Sequence, residues 1–441
     1  MRINDNSYVE KAKVYEEIPK LIKKIENKTL AQLENEGLFV FPETSKYLND
    51  LEEEQVVIET LNNCYHTGNI IGFLGLDKER LVISSRFASE ENDYFLQYMM
   101  EKVLDFPNVF DLETESNTGN KFVDILIFLF PLYLKVAMRK GLFKNYIKAE
   151  YNDANPKGSI NVARHIKLNV PFFGKIAYDQ RELSFDNDMS QLIRHTIEHI
   201  KTKKFGLSIL AKVKDEASKI IEVTPQYRFQ DRQKVLSKNK KSPLRHAYFF
   251  EYRALQQLCI MILQHQKQEM GLGVNKVYGV LFDAAWLWEE YLNTLVNDEF
   301  YHAENKSHKG AEQLFSCIRK EGLIYPDFLS MRVDNRVVAD AKYKPNSNIR
   351  NKDYFQVLAY MMRFGSRTGI YFYPEANQTW ADRLWLNEGS SHEKNSVKAR
   401  EDIRVIKLGL GISKAKNYKE FAEEMRKSEE SFKDKVKEIL R

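Results

Sequence analysis

Residues 325–343 read YPDFLSMRVDNRVVADAKY, and this stretch gives the clearest indication of a fold. Apolar and polar residues alternate on both sides of the turn-forming pair Asp334-Asn335, as they do in two paired strands. We therefore expect Gly322–Met331 and Arg336–Tyr343 to form a β-hairpin with its turn at this pair.

Three charged side chains meet at one end of the predicted hairpin. With the turn at Asp334-Asn335, Asp327 lies opposite Lys342. Asp340 precedes Lys342 by two residues, so both side chains point to the same face of the strand. A bulge would shift this register.

These residue types suit phosphodiester cleavage, which needs a metal clamp, a source of hydroxide and neutralisation of charge in the transition state. Two carboxylates offer Mg²⁺ hard oxygen ligands. A lysine beside them can position and polarise the attacking water. An ordinary surface hairpin with polar ends has the same spacing. The apolar run Val337-Val338-Ala339 favours a functional site, because charges at the end of a buried strand are costly.

Helices predicted on either side of the hairpin carry further polar candidates. The helix Asp283–Leu295 begins at a plausible N-cap and contains Glu289 and Glu290, either of which could supply a third carboxylate. In the helix after the hairpin, Gln356 and Tyr360 are four residues apart and share one face.

Composition limits the class of protein. A chain of 441 residues is long enough for two or three domains. Hydrophobic and charged contents of 43% and 29% are typical of a globular protein, and a net charge of +5 permits nucleic-acid binding without requiring it. The three cysteines, Cys64, Cys259 and Cys317, make neither a disulfide framework nor a CxxC metal motif, which is typical of a reducing compartment.

One apolar stretch, Phe122–Met138, imitates a membrane span. It is shorter than the roughly 20 residues that a bilayer requires. Asp124, Pro131 and Lys135 also interrupt it, so we predict a buried helix and no membrane association. The N-terminus has no apolar secretion signal, and we expect a cytoplasmic protein.

Three short motifs resemble those of the PD-(D/E)XK nucleases, including the QxxxY extension of their RecB-like branch. They are Pro326-Asp327, Asp340-Ala341-Lys342 and the pair Gln356 and Tyr360. More narrowly, the chain resembles the McrC family, including the McrC-like subunits of LlaJI-type systems. These are nuclease subunits of GTP-driven DNA restriction complexes.

Other segments in the same order extend this resemblance over about residues 65–415. They are Gly68–Phe73 with Leu81–Ser84, Phe130–Tyr146, Gly158–Asp188 and Val280–Leu292. In the last segment, the family pattern points to Glu289 rather than Glu290 as the metal-binding acid.

The resemblance implies an α+β multidomain fold and a divided activity. A PD-(D/E)XK restriction-endonuclease-like core would follow a mixed N-terminal domain and a helical middle region. Asp327, Asp340 and Glu289 would hold one or two Mg²⁺ ions, with Mn²⁺ as a substitute, and the site would cleave double-stranded DNA. A McrB-like AAA+ GTPase would recognise and translocate the DNA, and the nuclease domains would dimerise.

We expect three regions along the chain. They are an N-terminal mixed α/β partner-binding region at residues 1–175, a helical middle region at 176–270, and the nuclease domain with a C-terminal helix at 271–441. Gly271 and Gly273 mark the last boundary. The sequence contains no GxxxxGK[ST] motif, so any motor lies in another polypeptide.

Two stretches offer other interpretations. His195-Thr-Ile-Glu-His199 fits the HxxEH pattern, which places two imidazoles on one helical face as zinc ligands; a solvated helix face is the alternative that we favour. We interpret the basic stretch Arg232–Pro243 as a solvated loop. Tyr343 and Lys344, next to the catalytic strand end, are predicted to contact the DNA backbone.

Two other functions remain open from the sequence. The chain could be a nuclease that acts alone, for example in repair. It could also be a non-catalytic stimulator of a motor, although the intact set of Asp327, Asp340 and Lys342 argues against that.

Overall fold

The apolar strand around Val338 lies inside a six-stranded sheet in the computed structural model of the chain. The structure describes residues 1–36, 38–41, 55–77, 79–88, 93–104, 118–268, 277–303, 311–316, 321–376, 378–390, 392 and 396–441. These residues belong to two units, one formed by Met1–Glu115 with Asn275–Arg441 and the other by Ser116–Val274. Gly271, Gly273 and Cys317 lie outside the described residues.

The elements follow one another in three runs. The first unit begins with β1 (Arg2–Asn4), β2 (Tyr8–Glu10), α1 (Lys11–Glu17), α2 (Pro19–Ile25), α3 (Leu30–Asn35), β3 (Phe39–Phe41), β4 (Ile58–Leu61), β5 (Cys64–Thr67), β6 (Ile70–Leu76), β7 (Glu79–Ser84) and α4 (Tyr94–Leu104). The second unit contains α5 (Thr118–Met138), β8 (Asn145–Asp153), β9 (Ser159–Ile160), α6 (Val162–Asn169), β10 (Ile176–Ser184), α7 (Asp188–Lys201), α8 (Gly206–Ala211), α9 (Lys214–Glu222), α10 (Arg232–Lys241) and α11 (Glu251–Gln268). The first unit resumes with β11 (Tyr278–Asp283), α12 (Ala284–Val296), β12 (Phe300–His302), β13 (Glu312–Gln313), β14 (Leu323–Ile324), β15 (Phe328–Ser330), β16 (Val337–Ala341), α13 (Asn351–Phe364), β17 (Thr368–Glu375), β18 (Trp380–Glu388), β19 (Lys398–Gly411) and α14 (Tyr418–Leu440).

A five-stranded sheet joins the two ends of the chain within the first unit. Its order is β1-β7-β6-β11-β3, so β11 pairs with strands that lie about two hundred residues before it. Gly72 on β6 has a φ of +145°, and a Cβ at this position would lie 2.1 Å from the carbonyl oxygen of Val280. Glycine is therefore required where β6 pairs with β11.

The six-stranded sheet has the order β12-β15-β16-β17-β19-β18. Its central strands β16, β17 and β19 are parallel, whereas the strands on both sides of them are antiparallel. Helix α13 makes the crossover between the parallel strands β16 and β17. It packs through Val357, Tyr360 and Met361 against a core that includes Val338 and Tyr371.

The predicted hairpin forms, but its register differs from the expected one. Phe328 pairs with Ala339, which places Asp327 opposite Asp340 rather than opposite Lys342. The strands are joined by a six-residue connection, residues 331–336, in place of the two-residue turn expected at Asp334-Asn335. The hydroxyl of Ser330 accepts a hydrogen bond from the Val337 amide at 2.8 Å and holds this wider connection.

Helices α12 and α14 begin at side-chain caps. The predicted N-cap of α12 is confirmed, since the Asp283 carboxylate accepts hydrogen bonds from the amides of Ala285 and Trp286. Asn417 caps α14 in the same way. The hydroxyl of Tyr291 on α12 donates to the buried Glu429 of α14 at 2.8 Å, so a polar contact links the two helices.

The second unit is mainly helical. Helix α5 packs against α11, and α7 packs against α10 and α11. The stretch predicted as a solvated loop is instead α10, with Val235, Leu236 and Asn239 buried. The two apolar residues of this helix, Val235 and Leu236, are both buried. The many lysines around them hide this helical pattern in the sequence. Within the described part of the chain, no helix has the length and apolarity that a membrane crossing would need.

The packing groups the chain differently from the three predicted regions. Residues 118–175 belong to the second unit rather than to the N-terminal one, and β11 lies in the sheet of the N-terminal strands. The predicted boundary at residue 271 lies outside the described residues. The partner-binding role of the N-terminal region stays a prediction.

Candidate active site

Asp327 and Asp340 face each other across the β15–β16 pair. Only 9% of Asp327 and 1% of Asp340 is exposed. The carboxylate of Asp327 accepts a hydrogen bond from the Ala341 amide at 2.8 Å, which fixes its side chain across the strand end. The register differs from the expected one by two residues, and because side chains alternate with a period of two, the acids still share one face.

Lys342 completes a compact cluster with the two acids. Its ammonium lies 2.5 Å from Asp340 and donates a hydrogen bond to the side-chain oxygen of Gln356 at 3.0 Å. The side chain is 17% exposed, so it is mostly shielded from solvent. Lys342 can therefore hold a proton next to the two carboxylates at a fixed position.

The predicted pair on α13 extends this cluster. The side-chain amide of Gln356 donates to the hydroxyl of Tyr360 at 2.6 Å, and that hydroxyl donates to the carbonyl oxygen of Tyr325 at 3.2 Å. Since Lys342 donates to Gln356, a continuous chain of hydrogen bonds joins the lysine to the loop before Asp327. The structure thus brings together Asp327, Asp340, Lys342, Gln356 and Tyr360.

Burial dominates the electrostatics of this cluster. It raises the pKa of Asp327 to about 7, and the nearby charge of Asp340 acts in the same direction. Burial also raises the pKa of Asp340, against the opposing effect of the Lys342 ammonium. Burial disfavours the charged lysine, but Asp340 and Asp327 outweigh that effect and raise the pKa of Lys342.

Two buried carboxylates at one point fit a divalent cation. Their like charges repel in a poorly solvated place, and a cation would relieve that repulsion. Mg²⁺ commonly takes one or two carboxylates and fills its other positions with water and substrate phosphate. No group of three His, Cys, Asp or Glu residues suited to a metal occurs among the described residues. Asp327 and Asp340 are two carboxylates that could supply protein ligands to such a cation.

The two glutamates of α12 are in different situations. The carboxylate of Glu290 lies 3.7 Å from the imidazole of His302. Glu290 therefore has a side-chain partner other than a metal. Glu289 is half-buried on the same helix, and the structure does not place it in a three-ligand cluster with the two aspartates. Its role as a metal ligand stays a prediction.

His302 is a neighbour of the site that the sequence did not single out. It is the last residue of β12, and its Nδ1 lies 2.8 Å from the carbonyl oxygen of Asp327. Burial lowers the pKa of this imidazole, but Glu290 and the Asp327 carbonyl outweigh burial and raise it. The available signal was a histidine ending the short aromatic run Phe300–His302 directly after the glutamate-bearing helix.

Tyr343 is buried, and the DNA contact predicted for it stays a prediction. Tyr343 is only 4% exposed, and its hydroxyl lies 2.7 Å from the hydroxyl of Ser85. The guanidinium of Arg86 lies over its ring at 4.9 Å. Tyr343 lies two residues after the end of β16 and is buried, whereas its neighbour Lys342 faces the site. Lys344 forms an ion pair with Asp353 at 2.7 Å, and its contact with DNA stays a prediction.

The HxxEH histidines lie in the second unit and do not form a solvated face. His195 and His199 are 3% and 5% exposed. Burial, with Arg232 acting in the same direction, lowers both pKa values to about 4. No third ligand accompanies them among the described residues. The buried pair is thus neutral at physiological pH and packs as part of the helical core.

Comparisons with known proteins give one family. The model of the family described as "McrBC 5-methylcytosine restriction system component" matches residues 65–374. No curated protein matches the sequence.

Two solved structures are similar. One is described as "Refined half-complex from tetradecameric assembly of Thermococcus gammatolerans McrB AAA+ hexamers with bound McrC"; it is 14% identical with a TM-score of 0.45, over 97% of this chain and 99% of that one. The other, "Cryo-EM structure of the Thermococcus gammatolerans McrBC complex", is 13% identical with a TM-score of 0.31, over 69% of this chain and 89% of that one.

Proposed function

This chain belongs to the McrBC 5-methylcytosine restriction system component family, and from that membership we propose that it is the McrC-like nuclease subunit of such a system. The observation that supports this most strongly is the buried cluster of Asp327, Asp340 and Lys342 at one strand end. The proposed reaction is hydrolysis of phosphodiester bonds in double-stranded DNA. The six-stranded sheet with α12 and α13 would be its PD-(D/E)XK core.

In the proposed mechanism, Asp327 and Asp340 would hold one or two Mg²⁺ ions. When bound, the cation supplies charge neutralisation for the transition state and a water of lowered pKa. Lys342 orients the attacking water with its ammonium. Gln356 fixes the direction of that ammonium by accepting its hydrogen bond, and Tyr360 anchors Gln356 to the Tyr325 carbonyl.

We propose that a separate AAA+ GTPase of the McrB type moves the DNA. The sequence has no GxxxxGK[ST] motif, so this chain offers no P-loop for the nucleotide. Two nuclease subunits acting together would explain cleavage of both strands.

Asp340→Asn tests the proposed site, with Asp334→Asn as the matched control. Asp334 is an exposed acid in the connection of the same hairpin. We expect Asp340→Asn to abolish Mg²⁺-dependent cleavage of plasmid DNA by the complete assembly, and Asp334→Asn to leave it within about twofold of the natural protein. Equal cleavage by Asp340→Asn and the natural protein would exclude this site.

The same assay separates the alternatives. Cleavage by the purified chain without a partner or nucleotide would indicate a nuclease that acts alone. If the chain stimulated GTP hydrolysis by its partner but no cleavage occurred under any metal condition, it would be a non-catalytic stimulator.

A further inference from the structure

We propose that His302 is a positioning residue that holds Asp327 in place for cation binding, and that Glu290 orients the imidazole from the other side. The inference rests on the proposed nuclease function. It assigns a role to His302 and Glu290. Neither belongs to the residues on which the proposed function is based, which are Asp327, Asp340, Lys342, Gln356 and Tyr360.

The hydrogen bond to Asp327 requires a hydrogen on Nδ1 of His302. A carbonyl oxygen can only accept, so Nδ1 must carry the hydrogen over the 2.8 Å that joins it to the Asp327 carbonyl. Nε2 is then directed away from Asp327. The Glu290 carboxylate lies 3.7 Å from this Nε2, so the protonated ring forms an ion pair with α12 and is held between that helix and the start of β15.

Packing restricts the ring further. The imidazole stacks on Phe328 with ring centroids 4.7 Å apart and an angle of 26° between the planes. Only 9% of the His302 side chain is exposed. Phe328 follows Asp327 directly, so the imidazole contacts both the carbonyl of the proposed metal ligand and the side chain of the next residue.

Asp327 is thereby held at both of its polar groups. Its carboxylate is fixed by the Ala341 amide, and its carbonyl by His302 and, at 3.3 Å, by the Ala303 amide. The Ala303 amide continues the pairing of β12 with β15 and would suffice for strand pairing. A buried imidazole that donates to the same oxygen and lies beside a carboxylate is more than strand pairing requires, and groups behind a ligand commonly set its orientation.

The test measures cation binding by the full-length protein without DNA or partner. Metal-free protein is titrated with Mn²⁺ in a calorimeter, and thermal unfolding is measured in the absence of metal. His302→Leu keeps the approximate volume but loses the donor, whereas His302→Asn keeps a donor near the position of Nδ1. We expect His302→Leu to weaken Mn²⁺ binding about tenfold or more, and His302→Asn to remain within about threefold of the natural protein.

Two controls separate positioning from stability. Tyr301→Leu changes the neighbouring residue of β12, which is 59% exposed, and should leave Mn²⁺ binding unchanged. Glu290→Gln should weaken binding less than His302→Leu does. If His302→Leu and His302→Asn weakened binding equally, in proportion to their loss of thermal stability, His302 would be a packing residue only.

The outcomes distinguish this inference from the proposed function. If the natural protein bound no Mn²⁺, or if Asp340→Asn bound it as tightly as the natural protein, the metal site itself would be wrong. If Asp340→Asn abolished binding while His302→Leu bound Mn²⁺ normally, the nuclease site would stand and the role of His302 would be wrong.

Discussion

At the scale of single residues, the central feature is the mutual burial of Asp327 and Asp340. Neither acid is well solvated, and each raises the energy of the other when both are ionised. Such a pair destabilises the metal-free protein, and a bound cation would stabilise it. This combination is typical of a functional site. The cost can be measured.

Asp327→Asn should stabilise the metal-free protein as pH rises. The pKa of Asp327 is raised to about 7 in the folded protein. It lies near 4 in an unfolded chain. The folded state therefore binds the proton more tightly, and the free energy of unfolding of the natural protein falls between about pH 4 and pH 7. The asparagine variant does not lose stability in this way. Its free energy of unfolding should therefore exceed that of the natural protein by about a few kcal/mol at pH 7.5.

Thermal unfolding at several pH values, with a chelator and then with Mg²⁺, measures this effect. Mg²⁺ should stabilise the natural protein but not Asp327→Asn. An advantage of the variant that stayed constant from pH 4 to pH 7.5 would contradict the raised pKa.

Gln356→Leu should slow cleavage without unfolding the protein. The substitution removes the acceptor of the Lys342 ammonium and the link to Tyr360. We expect a loss of about 10- to 100-fold in the rate, measured in single-turnover cleavage. Gln356→Glu keeps an acceptor for Lys342 and should retain more activity. Met362→Ala on the same helix, at an 86% exposed position, is the control and should cleave normally.

At the scale of elements, the helices around the site were predictable from local sequence, whereas strand register was not. The apolar spacing and the Asp283 cap place α12 within one residue of its predicted bounds. The register of β15 and β16 depends on Ser330 and on a connection of residues 331–336, which a local turn rule does not anticipate. Helix α10 was missed because only three of its ten residues are buried.

The buried contact between Tyr343 and Ser85 belongs to this scale, because it ties the end of β16 to the segment after β7. Tyr343→Phe should lower the free energy of unfolding by about 1 kcal/mol, since it leaves the buried Ser85 hydroxyl without this partner. It should leave DNA affinity unchanged. Lys344→Gln, in contrast, should weaken DNA binding and its salt dependence if Lys344 contacts a phosphate. A large loss of DNA affinity in Tyr343→Phe would support the predicted contact of Tyr343 with DNA.

At the scale of the whole molecule, the first unit depends on pairing between distant parts of the sequence. Strand β11 completes the N-terminal sheet, and α12 follows it directly into the candidate site. The individual strand Ile70–Leu76 could be predicted from its apolar residues, but its partner could not, because the pairing spans about two hundred residues. For the same reason, the three predicted regions kept the N-terminal strands apart from Asn275–Arg441, whereas both parts of the chain belong to the first unit.

Gly72→Ala tests this connection. Its Cβ would lie 2.1 Å from the Val280 carbonyl oxygen, so the variant must separate β6 from β11 locally. We expect a destabilisation of several kcal/mol in thermal unfolding. Gly141→Ala is the matched control, because Gly141 also has a positive φ, of +93°, but a Cβ there meets nothing within 4 Å. Equal effects of both variants would indicate that backbone strain, rather than the contact, matters.

The division of labour between two chains is the central claim, and one measurement tests it most directly. DNA cleavage and GTP hydrolysis are measured in the same reaction for the assembly that contains Asp340→Asn and a McrB-type partner. We expect cleavage to disappear, while GTP hydrolysis remains within about twofold of that of the natural assembly. If cleavage persisted, or if both activities disappeared while the assembly stayed intact, Asp340 would not be a residue of a separate cutting site.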